Sequence, residues 1–415
     1  MRCEKIIIAL LVSAMTLCGC GSTADEKAVS DIKETSDIKE ASEGLKASTG
    51  TGNIEGSESS VVSESGLDFT AKLKCGWSLG NTFDATDDNT KNPAGLEFAW
   101  VGVRTSEDMI KAVHAAGFET LRLPVSWHNH VSGDNYTIDK AWLDRVEEVA
   151  SWALNDGMYV IINIHHDEQQ FYPSSERISD SKKYVSSIWT QLSDRFKDYD
   201  EHLIFETLNE PRLVGTSYEW NFQEGVKTCL DSAECINELN QLAVDTIRKS
   251  GGNNANRYIM VPGYSASPDA ELKDSFKLPD DPAGHIIVSV HSYAPYGFAL
   301  QPDGENGVTD SFSTDDPDDT KPISDTAKNL YNKFIANGIP VIVGEYGSVD
   351  RNGNTAARVE HAKYYTKTYK SVGIPCIWWD NNFNKGKGER FGIFDRKTLT
   401  FNGHEIVDAI MEGCK

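Results

Sequence analysis

Eight short apolar runs, set apart by amphipathic stretches, constrain this chain more than any other feature of it. They cover residues 74–81, 120–127, 159–166, 203–210, 257–264, 285–293, 340–346 and 376–382. Continuous apolar runs of this length suit strands covered on both faces, which occur in parallel sheets whose crossovers are helices. The intervening segments read as those helices, over 106–116, 139–156, 180–199, 236–250, 324–337, 355–372 and 404–411. Ser106 and Asp139 supply N-caps, and Gly117, Gly251, Gly338 and Gly373 supply stops. The pattern predicts an α/β chain folded as a (β/α)8 TIM barrel. A doubly wound open sheet is the alternative, but no G-x-G-x-x-G or G-x-x-x-x-G-K-S/T follows a strand run to cradle a phosphate.

The barrel needs only part of the 415 residues. Arg2 and Lys5 precede an apolar stretch from Ile6 to Leu17, too short to stay in a bilayer, which reads as a secretory signal. Its end, Leu17-Cys18-Gly19-Cys20, resembles the bacterial lipoprotein signal, whose last cysteine becomes the lipidated N-terminus. Residues 1–20 are assigned to that signal with Cys20 as anchor; free secretion after cleavage near Gly19 is the alternative. Residues 21–66 lack aromatics, are rich in Ser, Glu, Thr and Gly, and read as a disordered linker ahead of a catalytic domain at 67–415. A net charge of −23 argues against nucleic acid and anionic lipid as partners. The domain's cysteines, Cys75, Cys229, Cys235, Cys376 and Cys414, show no C-x-x-C spacing and so no zinc framework. Cys229 and Cys235 stand close enough in sequence for a local disulfide in an exported protein.

Chemistry gathers where the runs end. Pro211 cannot donate to a ladder, so the fourth strand is predicted to stop at Glu210, and the seventh run ends on Glu345. In a parallel barrel the C-terminal strand ends share one cleft, which makes these two a candidate carboxylate pair of the kind glycoside hydrolysis uses. Arg122 lies in an otherwise apolar run and requires an acidic partner, for which Glu345 qualifies. Asn209 adjoins Glu210, and His291 and Tyr293 share one face of the sixth strand. His165-His166-Asp167 is read against a metal site, because adjacent strand residues point to opposite faces. By the same alternation one of Trp378 and Trp379 faces the cleft and the other the core; Trp77, Trp100, Trp127 and Phe171 are further candidates for a sugar platform. Residues 301–321 are expected as a loop over the active face, with the acidic run at 315–319 as solvated surface.

From about Leu73 onward the chain resembles glycoside hydrolase family 5, in particular its bacterial endo-β-1,4-glucanases. The resemblance rests on Gly76-Trp77-Ser78-Leu79-Gly80-Asn81, Arg122-Leu123-Pro124-Val125-Ser126-Trp127, Asn163-Ile164-His165-His166, Asn209-Glu210-Pro211, His291-Ser292-Tyr293, Gly344-Glu345-Tyr346-Gly347 and Trp379-Asp380-Asn381-Asn382. It implies Glu210 as acid/base and Glu345 as nucleophile, with Arg122, His165, Asn209, His291, Tyr293 and Trp379 lining the cleaved subsite. It also implies retention of configuration, with carboxyl groups about 5 to 5.5 Å apart. Trp378 is bulkier than the aliphatic residue expected there, and Tyr346 falls where the family varies. The expected substrate is a β-glucan polysaccharide, with xyloglucan, mixed-linkage glucan, mannan and xylan as alternatives and a non-catalytic glycan-binding protein as the rival class. Neither cofactor nor metal is called for, a monomer is expected, and membrane contact is expected only through the lipid anchor. Glu210 is expected to have its pKa raised by the neighbouring charge of Glu345.

Overall fold

The computed structural model describes residues 64–415, so the signal and most of the linker lie outside the described residues. Eight parallel strands close into a barrel: β1 Cys75–Leu79, β2 Thr120–Leu123, β3 Tyr159–Asn163, β4 Leu203–Glu206, β5 Ile259–Pro262, β6 Ile286–His291, β7 Val341–Tyr346 and β8 Cys376–Asp380. Each pairs with its sequence neighbours, and β1 closes the ring on β8 through Cys75↔Cys376 to Leu79↔Asp380. The eightfold repeat in the sequence is therefore the fold itself. Most strands stop earlier than their apolar runs. After Leu123, Pro124 has no N–H to give, and the next amides leave the ladder: Val125 donates to Asn163 Oδ1 at 3.0 Å and Trp127 to Asp167 at 2.9 Å. Likewise β4 ends at Glu206 rather than Glu210, although Thr207 still donates to the Met260 carbonyl at 2.9 Å.

The capped helices form where expected. Ser106 accepts from the Met109 amide at the head of Glu107–Ala115, and Asp139 from the Trp142 amide at the head of Lys140–Asn155. Two helices begin well ahead of their predicted starts. Lys227–Lys249 includes nine residues ahead of Ile236, where the buried stripe is made of small side chains, Cys229, Ser232 and Ala233, that carry little apolar signal. Cys229 and Cys235 fall on this one helix, six residues and so about 9 Å of rise apart, beyond disulfide reach, and both are free thiols. Pro317–Lys333 starts inside the predicted loop. Its acidic run is a helix start: Asp316 caps the Asp318 amide, Pro317 opens the first turn, and Asp318 and Asp319 face the positive end of the dipole.

Alternation along the strands sorts the interior into layers. Outward-facing Trp77, Leu121, Val160, Phe205, Val288 and Trp378 join the main core beneath the helices. Inward, the lowest layer is apolar: Ile161, Ile204, Met260, Ile287, Ile342 and Ile377. The helix Gly66–Lys72 plugs this end with Phe69, whose ring stacks on Tyr258 at 3.7 Å and meets Tyr159 edge-on at 5.6 Å. Burying that ring contributes about 1.5–3 kcal/mol. One step up each strand the layer turns polar and wholly buried: Ser78, Arg122, Asn163, Glu206 and Ser289. Such a layer is tolerable only if its charges pair and its donors are used, and it forms the floor of the site.

One irregularity decides which β7 side chain reaches that site. Val343 pairs with Val290 and Glu345 with His291, leaving Gly344 as an extra residue; on the other side Val343 pairs with Cys376 and Tyr346 with Trp378. Strict alternation after inward Ile342 would send Glu345 outward. The bulge reverses the phase, so Tyr346 turns out to stack on Tyr365 at 4.4 Å while Glu345 turns in.

Candidate active site

Arg122 is the hub. Its Nε donates to Glu206 Oε2 at 2.9 Å, Nη1 to Glu345 Oε1 at 2.6 Å and Nη2 to Asn209 Oδ1 at 2.7 Å. Burial works against its charge, but the charges of Glu206 and Glu345 win and hold it protonated. The predicted partner, Glu345, is present; Glu206 is the one missed. Glu206 also accepts from Asn163 Nδ2 at 2.9 Å and from Ser289 Oγ at 2.6 Å, so its carboxylate is saturated with donors. The reasoning that flagged Arg122, a charge within an apolar strand run, applies equally to Glu206 and would have found it.

Glu345 is held from its other oxygen as well, where the Tyr293 hydroxyl donates to Oε2 at 2.9 Å. His291 Nδ1 lies 2.8 Å from Glu210 Oε1 and 3.7 Å from Glu345 Oε2, and the two glutamates bring oxygens within 4.8 Å of each other. Burial would raise the Glu210 carboxyl, but the hydrogen bond and charge of His291, with Arg212 and His166 behind it, set it below its ordinary value. His291 moves the other way: burial lowers it, and Glu345 and Glu210 more than restore its proton. This corrects the expectation of a raised Glu210. Glu345 is a like charge close by, yet His291 is hydrogen-bonded to Glu210 directly, and its contribution prevails.

His165 lies against Trp379, the rings parallel at 5.7 Å. Asn163 Oδ1 accepts from the Val125 amide, so its Nδ2 must be the group facing His165 Nδ1 at 3.1 Å. His165 is thereby a neutral imidazole carrying its proton on Nε2, where burial and then the charges of His166 and Arg122 also oppose protonation. Trp379 is inward and nearly buried, and Gly80 makes room for it: a Cβ there would stand 2.7 Å from the indole. Trp378 is outward and fully buried, its Nε1 donating to the Phe391 carbonyl at 3.1 Å. Of the other aromatic candidates, Trp77, Trp127 and Phe171 are core, and only Trp100 is exposed, at 38%.

The histidine pair is closer than strand alternation implied. Both follow the end of β3, their rings sit 4.4 Å apart, and Asp84 from the loop after β1 joins them, with ligand atoms of all three within 4.8 Å. Two of the three are already engaged. Asp84 accepts from the amides of Asn81 and Thr82 at 2.9 and 2.6 Å, and the free lone pair of His165 is taken by Asn163. A cation would have to displace those bonds.

Comparison with known proteins gives the family. The sequence model for Cellulase (glycosyl hydrolase family 5) matches residues 83–385. Endoglucanase 1 of Ruminococcus albus is 41% identical over 354 residues, 85% of this chain and 82% of that one. The chain belongs to glycosyl hydrolase family 5. This family-5 glycoside hydrolase is also 40% identical to Endoglucanase A of Clostridium longisporum over 364 residues, 86% of this chain but 66% of the length of that relative. Among solved structures, a family-5 lichenase from Caldicellulosiruptor sp. F32, determined with cellotetraose, superposes with a TM-score of 0.84 at 48% identity, covering 88% of this chain and 99% of that one.

Proposed function

We propose that this family-5 enzyme is a retaining endo-β-glucanase that cleaves internal β-1,4 bonds of cellulose or related β-glucans, with Glu345 as nucleophile and Glu210 as acid/base. The approach of one oxygen from each carboxylate to within 4.8 Å of the other, across His291, carries the reading. That gap suits direct attack, whereas inversion needs roughly 6.5–9.5 Å between carboxyl groups to admit a water. Glu345, fixed by Arg122 and Tyr293, attacks the anomeric carbon. The leaving oxygen takes its proton from Glu210, which the His291 pair keeps supplied. Once Glu345 is esterified, Glu210 draws a proton from water, which hydrolyses the glycosyl ester. Asn209 turns its carbonyl to Arg122, leaving its amide hydrogens for a sugar hydroxyl. The likeness to a lichenase favours mixed-linkage glucan as a substrate alongside cellulose.

Two measurements test this. Proton NMR of the first products from a β-linked glucan should show the β-anomer, and an initial α-anomer would end the retaining mechanism. Reducing-sugar release from cellulose, mixed-linkage glucan, xyloglucan, mannan and xylan should be greatest on the glucans.

We also infer that the enzyme is exported and held at the cell surface through Cys20, on the strength of the Leu17-Cys18-Gly19-Cys20 pattern and the polar stretch after it. Cys20→Ser should move it from the membrane fraction to the medium. A wild-type protein found wholly in the medium would refute the anchor.

A further inference from the structure

Sulfur gathers at the end of the barrel opposite the active site. Cys75 and Cys376 are the first residues of β1 and β8, face each other in the register that closes the ring, and are both buried. The last helix, His404–Gly413, sends Ile406, Val407 and Ile410 into the core that holds these two cysteines. Its final turn brings further sulfur to the seam. Met411 Sδ stands 3.6 Å from Cys75 Sγ, and Cys414, the helix C-cap, lies three residues on and so on the same face. The turn is unbroken there, the Cys414 amide donating to the Ile410 carbonyl at 3.0 Å. The Cys414 thiol is partly open to solvent and shares a hydrogen bond with that of Cys75.

The two sulfurs differ as an attacking and a resolving thiol should. The bond from Cys75, helped by the Lys370 charge, sets the Cys414 thiol below its ordinary value against the effect of burial. The same bond, and then burial, raise Cys75 well above its own, so the open sulfur is the better nucleophile and the buried one keeps the proton. We propose that Cys414 and Cys75 are a redox-active dithiol, a site of reversible disulfide formation that ties the C-terminal helix to the strand on which the barrel closes. The oxidant is a small disulfide of the glutathione class. The Cys414 thiolate attacks one of its sulfurs, the S–S bond breaks, one thiol leaves, and a mixed disulfide remains on Cys414. Cys75 then loses its proton to water and attacks Cys414 Sγ, expelling the second thiol. Two protein thiols become one disulfide, and the oxidant is reduced to two thiols. The link encloses about 340 residues, from 75 to 414, so it takes chain entropy from the unfolded state while leaving the catalytic end of the barrel untouched.

The test incubates the folded, full-length enzyme with oxidised glutathione, quenches it with iodoacetamide in denaturant, digests it without reductant and maps the peptides by mass spectrometry. The peptide holding Cys75 should be joined to the one holding Cys414, with Cys229, Cys235 and Cys376 alkylated. The thermal midpoint should rise by about 4–10 °C and return on treatment with dithiothreitol, while kcat/KM on an aryl cellobioside stays within about twofold. Cys376→Ser should keep both the link and the shift. Cys414→Ser should abolish both and leave Cys75 alkylated, and Cys75→Ser should stop with glutathione on Cys414. The proposal is overturned if wild-type Cys414 stays free or stops at the mixed disulfide, or if Cys75 pairs with Cys376 instead. A Cys75–Cys414 link that leaves the midpoint unmoved would overturn it as well.

Discussion

A Cβ on Gly344 would stand 3.2 Å from Nε2 of His291 and 3.3 Å from Oγ of Ser289. The residue that forms the β7 bulge is thus also the one that lets the imidazole lie across the strand. Gly344→Ala is expected to press on His291 and disturb the geometry of both glutamates. Turnover should fall by on the order of 10- to 100-fold, while stability falls by only about 1–3 kcal/mol. Steady-state kinetics beside urea unfolding would check it; a fully active, folded alanine variant would show that the close approach has no functional weight.

Glu206 is expected to be as necessary to the site as the residues that touch substrate. It answers four donors, from Arg122, Asn163 and Ser289, and an amide at its place would turn hydrogens toward some of them. Glu206→Gln should cost about 3–5 kcal/mol of stability and lower kcat, since Arg122 would then be drawn wholly onto Glu345. Urea midpoints and kinetics on an aryl cellobioside measure the two effects.

The proton on the His291–Glu210 pair sets the alkaline limb of activity. His291 is raised above its ordinary 6.5, so kcat/KM should persist past that pH and fall only as pH rises through the shifted value. In His291→Ala the proton must reside on a carboxyl, and the limb should move down by about a pH unit or more. A pH profile on an aryl cellobioside decides this, an unmoved limb placing the proton elsewhere.

Linkage gives the stability counterpart. The raised His166, at about 9, stabilises fully below its ordinary 6.5 and loses that contribution as pH rises through about 9. The lowered Glu168, at about 2, stabilises fully above its ordinary 4.5 and loses it as pH falls through about 2. Together with the His291–Glu210 pair, shifted in the same senses, this puts the maximum of the thermal midpoint between about pH 4.5 and 6.5. In Glu168→Gln that maximum should flatten.

Trp379→Ala should cut turnover with the fold largely kept, since the ring lies against His165 at the cleft. Trp378→Ala should destabilise by about 3–5 kcal/mol through the cavity it leaves in the core. Thermal melts and kinetics on the two variants separate the roles.

Sequence alone determined the barrel, because eight apolar runs with polar crossovers have few ways to bury themselves. It also placed Arg122, Asn209, Glu210, His291, Tyr293, Glu345 and Trp379 near one cleft, because strand ends in a parallel barrel converge. Tertiary structure decided what depends on distance across the barrel. Glu345 points inward only because β7 carries a bulge relative to both neighbours, which no single strand's pattern reveals. The Glu210 carboxyl is lowered rather than raised because His291, from two strands away, hydrogen-bonds it and brings its charge against it. Trp77 and Trp127 sank into the core and Trp100 stayed out. Aromatic character is local, whereas burial depends on what the rest of the chain brings alongside.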